Sequence, residues 1–254
     1  MARKPTLSPS RITTFLACPS KYLWTYIDPR GKWYLRAKSY YSFGTTLHKV
    51  MERFHDEGDQ GVTTVGDALR IYEESWIDAG FASAEEMQEA YGEGKEIVAA
   101  VIAEEEVARR ESGVRTLAVE KLLKRDLGPF ELIGRVDRLD EYPDGRIDIV
   151  DYKSGRASVT EAQVKDDLAM ACYQLLARSI FPDRPVTATI HALRVQARAT
   201  TSLSALELEE FERDIVQIGE TILSASIDDY SPRPKPLCDG CDFLALCKKD
   251  PRYE

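Results

Sequence analysis

The chain has 254 residues, enough to bury a large core as one elaborated domain or two small ones. Hydrophobic content of 43% and charged content of 30% are those of a soluble globular protein, and no apolar run approaches the ~20 residues a membrane helix needs. The net charge of −9 speaks against broad nucleic-acid binding by a basic surface, though not against a local basic groove.

The opening MARKPTLSPSR has no apolar h-region, so no secretory signal is expected, and the protein is read as cytoplasmic with no membrane partner. Ser8 and Pro9 open a first helix as N-cap and first helical residue, with Ile12, Phe15 and Leu16 as its apolar stripe. Pro19, after Cys18, marks a break or a new helix start, and KYLWTYI continues as a short aromatic-rich helix. SFGTTLHKVMERFHDEG reads as a helix with Leu47, Val50, Met51 and Phe54 at helical spacing, while His48, Glu52 and His55 line a different face. Residues 59–112 look mainly helical and end in the charged run AEEEVARRESG, expected as a solvated face.

From about residue 114 the pattern changes to short strands: VRTLAVEKLL, FELIGRVDRLDEY and RIDIVDYKS. The last two flank PDG, a turn signal, and should pair as an antiparallel hairpin. Thr160 and Gln163 form a capping box before a helix running to about 180, VTATIHALRV alternates as a strand, and Ser204 with Glu207 caps a helix to about 224. SPRPKPL is a proline-rich linker into a cysteine cluster. Strand–strand–strand–helix–strand, with helices before and after, predicts an α/β core with a mixed sheet.

Within the strand DIVDYKSG, Asp151 and Lys153 point the same way and Tyr152 the other. A surface ion pair is the bland explanation. A carboxylate that holds a metal beside an amine that steers a nucleophile is the sharper one. With the turn centred on Asp144, facing residues have numbers summing to 288, which sets Asp137 opposite Asp151 with Cβ atoms about 4.5–5.5 Å apart. Two carboxylates that close repel unless a cation lies between them, and oxygen ligands suit Mg²⁺ or Mn²⁺. Lys153 is one step along on the same face, near enough to orient or activate a water.

The arrangement of Asp137 and Asp151-Tyr152-Lys153 resembles the PD-(D/E)XK nuclease core. The longer phrase GRVDRLDEYPDGRIDIVDYKSG looks like its RecB-type branch, in which a G-x-x-D-R-x-D strand leads through a turn to an I-V-D-Y-K-[ST]-G strand. GTTLHKVME is similar to that branch's N-terminal helical motif, whose histidine supplies a metal ligand, here His48. VEKLLK resembles the strand before the hairpin, where a glutamate often lies near the metal, here Glu120. The resemblance implies Asp137, Asp151 and Lys153 as catalytic residues. It implies Mg²⁺ or Mn²⁺ held by His48, Glu120, Asp137, Asp151 and the backbone carbonyl of Tyr152, and DNA contacts from Tyr173, Arg135 and Arg138. Tyr22, Trp24 and Arg194 are further aromatic and basic residues able to line a strand channel. One departure stands out: Ala169 occupies the place of a glutamine common four residues before the tyrosine that is Tyr173 here, which bears on DNA positioning more than on metal binding.

Five cysteines sit at 18, 172, 238, 241 and 247. Closely spaced cysteines in a reducing compartment bind metal more often than they pair as disulfides. C-x2-C-x5-C with one cysteine 220 residues upstream admits zinc or a 4Fe–4S cluster, and suits zinc less well because zinc sites usually join two close pairs. AddB-type nucleases and CRISPR-associated iron–sulfur exonucleases, in the same branch, take one cysteine before the nuclease core and three after it. That likeness implies a 4Fe–4S cluster on Cys18, Cys238, Cys241 and Cys247, an iron–sulfur staple joining the N- and C-terminal segments. Cys172, on an alanine- and leucine-rich helix, is expected to be a buried small hydrophobe.

The fold expected is thus α/β, a restriction-endonuclease-like core with a mixed central sheet flanked by helices. It would form one nuclease domain over 1–254: an N-terminal helical segment 1–58, a helical insertion 59–113, the core 114–200, and a C-terminal helix with the cysteine cluster 201–254. The resemblance implies a metal-dependent deoxyribonuclease, an exonuclease on single-stranded DNA ends serving DNA repair or CRISPR adaptation, with a helicase- or integrase-type protein as the kind of partner it would work beside. Two alternatives stand: a non-catalytic nucleic-acid-binding or assembly protein that keeps the fold, and a zinc-stapled α/β protein.

Overall fold

The computed structural model describes residues 4–56 and 61–253. Strand β1 (Thr6–Leu7) leads into helix α1 (Pro9–Ala17), where Ser8 accepts a hydrogen bond from the Arg11 N–H and Pro9 occupies the first turn. Both residues act as expected for a helix start. Ile12 is buried, but Leu16, expected on the same stripe, is 51% exposed. Pro19 starts a new helix, α2 (Pro19–Tyr22), followed by a π-helical turn (Leu23–Ile27) and a 3-10 helix (Pro29–Tyr34).

Helix α3 (Ser39–His55) buries Leu47, Val50, Met51 and Phe54 as its spacing predicts. The region expected to be helical resolves into α4 (Val65–Ser75) and α5 (Ala84–Glu111), each begun by a hydroxyl cap, Thr64 and Ser83. Residues 59 and 60 of that expectation lie outside the described residues. The charged run ending α5 is not wholly a solvated face: Glu105 is buried.

The strands are β2 (Arg115–Asp126), β3 (Glu131–Glu141) and β4 (Ile147–Lys153). β3 and β4 pair antiparallel as Arg138–Val150, Leu139–Ile149, Asp140–Asp148 and Glu141–Ile147, and every pair sums to 288. The turn closes through Gly145, whose φ of 87° suits glycine and whose N–H donates to the Tyr142 carbonyl. β4 then pairs in parallel with β5 (Val186–Ala192), and β5 antiparallel with β6 (Ala197–Thr201), which makes the sheet mixed.

Two expectations need correction. The helix predicted to run unbroken to about 180 is two, α6 (Glu161–Asp166) and α7 (Leu168–Ile180). Asp167 leaves helical geometry, and its side chain accepts from the Met170 N–H, so a local cap outcompetes continuation. The strand VTATIHALRV stops at Ala192. A short 3-10 turn and Gln196, in the left-handed region at φ 50°, send the chain back as β6. The Ser204–Glu207 capping box opens α8 (Ala205–Ser224) as expected.

By contacts the chain divides into two compact units: residues 1–36, 124–133 and 209–254, and residues 37–123 and 134–208. In the second unit, α3, α4 and α5 cover one face of the sheet in a core that includes Phe43, Val50, Phe54, Ile102, Val150 and Tyr152. α6 and α7 cover the other with Val164, Met170, Ala188 and Ile190. In the first unit, β1 pairs parallel with the start of β3, Thr6 with Glu131 and Leu7 with Leu132. There the N- and C-terminal segments also meet: Ser20 donates to the Tyr230 carbonyl at 2.6 Å, Tyr22 stacks on Tyr230, and Lys235 Nζ reaches the Ala17 carbonyl at 2.6 Å. No helix of the described residues is long and apolar enough to cross a membrane.

Candidate active site

One step past the last regular pair, the hairpin register brings Asp137 level with Asp151. Asp137 accepts a hydrogen bond from the Tyr152 N–H at 2.8 Å, which fixes its carboxylate across the strand junction. Asp151 is only 6% exposed. Burial pushes its carboxyl up to about 6, against the pull of Lys153 and with the repulsion of Asp137 added. Lys153 Nζ lies 2.6 Å from Asp151 Oδ2 as a close ion pair, yet that oxygen has no well-aligned donor. Burial opposes the charge on Lys153, but Asp151, Asp167 and Asp137 outweigh it and hold the amine above its ordinary value. Lys153 is therefore a cation at neutral pH and not a base.

Helix α3 brings in His48, whose Nδ1 lies 3.4 Å from Asp137 Oδ2. Strand β2 brings in Glu120, and its backbone is unusual: φ is 46°, left-handed, in the middle of a strand. A non-glycine residue there is strained, and such strain concentrates at functional sites. Arg135 steadies the distortion, donating to the Glu120 carbonyl at 3.0 Å with its guanidinium 3.8 Å from the carboxylate. Donor atoms of His48, Glu120 and Asp137 all fall within 4.8 Å of one another. Burial raises Glu120, and Asp137 and Glu52 raise it further. For His48, burial works against the charged ring, but the hydrogen bond and charge of Asp137, then Asp151 and Glu120, lift it above its ordinary value. One imidazole, repelling carboxylates and a buried carboxylate oxygen without an aligned donor fit a hard divalent cation.

Tyr173, on α7, is half-buried. Burial raises its phenol, and the charges of Asp151 and Asp137 raise it further. Arg135 is exposed at the rim. Arg138, expected to contact DNA, does not belong to this group. Its side chain is 6% exposed, ion-paired to Asp140 at 2.9 Å and Glu105 at 3.3 Å, and it donates to the Tyr152 hydroxyl at 2.7 Å. Strand alternation puts it on the face that α3 and α5 cover. His55, expected beside His48, is instead buried against Arg138 at the end of α3. Tyr22 is buried, and Arg194 is engaged with Glu93 and the Ser154 carbonyl, so neither lines an open channel. Gln174 is buried and accepts from the Leu203 N–H, a packing role.

Two contributors escape sequence reasoning. The Tyr152 N–H holds Asp137, and Asp167 supports the charge on Lys153. The first leaves no trace in side-chain chemistry. The second has a faint one, an aspartate three residues before Met170 at a helix start.

The model of the PD-(D/E)XK nuclease superfamily matches residues 6–248. The chain belongs to this superfamily. Among solved structures, a candidate exonuclease from Eubacterium rectale is similar over 96% of this chain and 88% of its own, at 15% identity and a TM-score of 0.51. That likeness shows the fold. The crystal structure of SSO0001 aligns over 97% of this chain and 87% of its own, at 12% identity and a TM-score of 0.37. No curated protein matches the chain. Members of the superfamily use divalent metals, and the cluster on α3, β2 and β3 is this chain's acidic metal-competent site.

The five cysteines differ in burial. Cys172 is fully buried. Cys18, between α1 and α2, and Cys238, Cys241 and Cys247, around a 3-10 turn and helix α9 (Leu244–Cys247), are half-buried thiols. Burial pushes Cys247 up to about 11, and Cys18, Cys241 and Cys238 raise it further. Among the described residues, no three of these sulfurs approach within 4.8 Å of one another.

Proposed function

We propose that this superfamily member is a divalent-cation-dependent DNA nuclease that digests from single-stranded ends, with a 4Fe–4S cluster held by Cys18, Cys238, Cys241 and Cys247. The observation that carries the nuclease reading is the convergence of His48, Glu120 and Asp137 donor atoms beside the Asp151–Lys153 pair. The name of the Eubacterium rectale neighbour supports an exonuclease over other members of the superfamily.

His48, Glu120, Asp137 and Asp151 would hold the cation, joined by the Tyr152 carbonyl. When bound, it supplies Lewis-acid polarisation of the scissile phosphate and a lowered pKa for water. The chain's own residues do the remainder. The Tyr152 N–H keeps Asp137 aimed at the site. Lys153, held protonated by its acidic neighbours, stabilises charge developing on the phosphate and orients the attacking water. Tyr173 and Arg135 meet the DNA backbone at the rim.

Cys18, Cys238, Cys241 and Cys247 would hold the cluster, which would add folding free energy where the two ends of the chain already meet.

The test is digestion of end-labelled single-stranded DNA in Mg²⁺ or Mn²⁺. Asp151→Asn should abolish it, and Lys153→Met should slow it about 10²- to 10³-fold. Iron content should fall in Cys18→Ser and persist in Cys172→Ser. Wild-type protein that cuts no strand type with either ion would overturn the nuclease, and colourless protein with stoichiometric zinc would overturn the cluster.

A further inference from the structure

Residues 23–34 wind as a π-helical turn followed at once by a 3-10 helix, two uncommon geometries in succession. Gly31 permits it: a β-carbon there would lie 1.8 Å from the Trp24 carbonyl oxygen. The segment is packed tightly on itself, yet it holds large apolar groups in water. Trp33 is 78% exposed, the highest value for any large hydrophobic side chain among the described residues, with Leu35 at 56% and Ile27 at 50%.

The charged residues beside Trp33 in sequence have one sign. Lys32 Nζ lies 5.0 Å from the centre of the Trp33 ring, and Arg36 is exposed three residues further on. Arg30 is neutralised by Asp28 at 2.6 Å and covers the Trp24 ring, so it belongs to the scaffold. From Pro29 to Arg36 there is no acidic residue, in a chain whose net charge is −9. An exposed indole flanked by two exposed cations complements a polyanion that carries flat apolar rings, which describes single-stranded nucleic acid.

We infer that Trp33, with Lys32 and Arg36, is a stacking platform for single-stranded DNA, outside the set of residues that would perform the chemistry. This rests on the nuclease reading and adds to it a site that grips the strand. Bases stack on the indole whatever their identity, and the two cations meet the neighbouring phosphates.

The experiment measures binding of a labelled oligo-dT by fluorescence anisotropy in the Asp151→Asn background, with cleavage measured in parallel on the wild type. Trp33→Ala should weaken binding about 5- to 150-fold, the range expected for one lost stacking contact. Trp33→Phe should keep most of the affinity. Lys32→Ala with Arg36→Ala should lower the slope of log affinity against log salt by about 1.4. Oligo-dT should quench tryptophan fluorescence in the parent and lose most of that effect in Trp33→Ala. Unchanged affinity, slope and quenching, when the Asp151→Asn parent binds and the wild type cuts, would overturn the platform and leave the nuclease standing. A wild type that neither binds nor cuts would overturn both.

Discussion

The β3–β4 hairpin carries two charged clusters, one on each face, and they behave in opposite ways. On one face Asp151, Lys153 and Asp137 meet His48 and Glu120; Lys153 remains 47% exposed, and Asp151 Oδ2 lacks an aligned donor. On the other, Arg138 is ringed by Asp140, Glu105, the Tyr152 hydroxyl and His55, while Asp148 is satisfied by Thr187 and Thr189. Both clusters are rich in titratable groups, so charge density alone does not mark the functional one. The difference lies in what is left over. The Arg138 cluster gives each of its acids a cationic or hydroxyl partner within the protein, whereas the open one carries more negative charge than its own cations balance. Tyr152 links the two, with its N–H on Asp137 and its hydroxyl on Arg138.

The largest expected effect breaks the Arg138 face. Arg138→Met leaves Glu105 and Asp140 buried without their shared cation and should cost about 3–5 kcal/mol in urea unfolding. The matching change on the open face has the opposite sign. In metal-free buffer at pH 7, Asp151→Asn should raise stability, because burial already disfavours that carboxylate. Destabilisation by both changes would mean that the two clusters are equally structural.

Acid separates the faces more finely. His191 is fully buried on the Arg138 face with neither ring nitrogen hydrogen-bonded. Burial, then Arg198 and Arg138, press its pKa down to about 3. Between its unfolded value near 6.5 and that figure, only the unfolded chain takes up the proton, so stability falls as pH drops, by about 2 kcal/mol at pH 5 from this residue alone. Asp151, raised to about 6, works the other way: its folded form takes up a proton first, and acid stabilises it. His191→Gln should therefore flatten the acid limb of a thermal-unfolding profile, and Asp151→Asn should steepen it. Parallel profiles for the two variants would refute the assignment.

How much of this was legible in the sequence follows the range of the interactions. The hairpin register could be read because a PDG turn and a period of two are local, and all four observed pairs obey it. Alternation also put Arg138 on the Tyr152 face, but whether that face meets water or α5 depends on residues more than 30 positions away, and Glu105 gave itself away only by joining a charged run. The break at Asp167 was masked because the helical pattern continues across it. β6 escaped because ARATT is short and follows a left-handed residue that is not glycine. At the site, His48, Glu120 and Asp137 converge as the motif implied, while the strained backbone at Glu120 has no sequence signature.

That strain gives the smallest effect and the sharpest test of what the open face is for. Glu120 sits at φ 46° inside β2, where any side chain is strained and glycine is not. Glu120→Gly should relieve the backbone, remove a carboxylate raised by burial and by Asp137, and raise stability by about 1 kcal/mol in metal-free buffer. Mn²⁺ titrated calorimetrically into the same variant should bind more weakly than to the wild type, since one of three converging donors is gone. Glu120→Gln separates the causes: it keeps the strain, so it should weaken Mn²⁺ without the full gain in stability. A glycine variant that is less stable and binds Mn²⁺ normally would mean that the left-handed turn serves the fold of β2 and not the cation. Gain and loss together would mean that the strand is bent to aim Glu120 at His48 and Asp137.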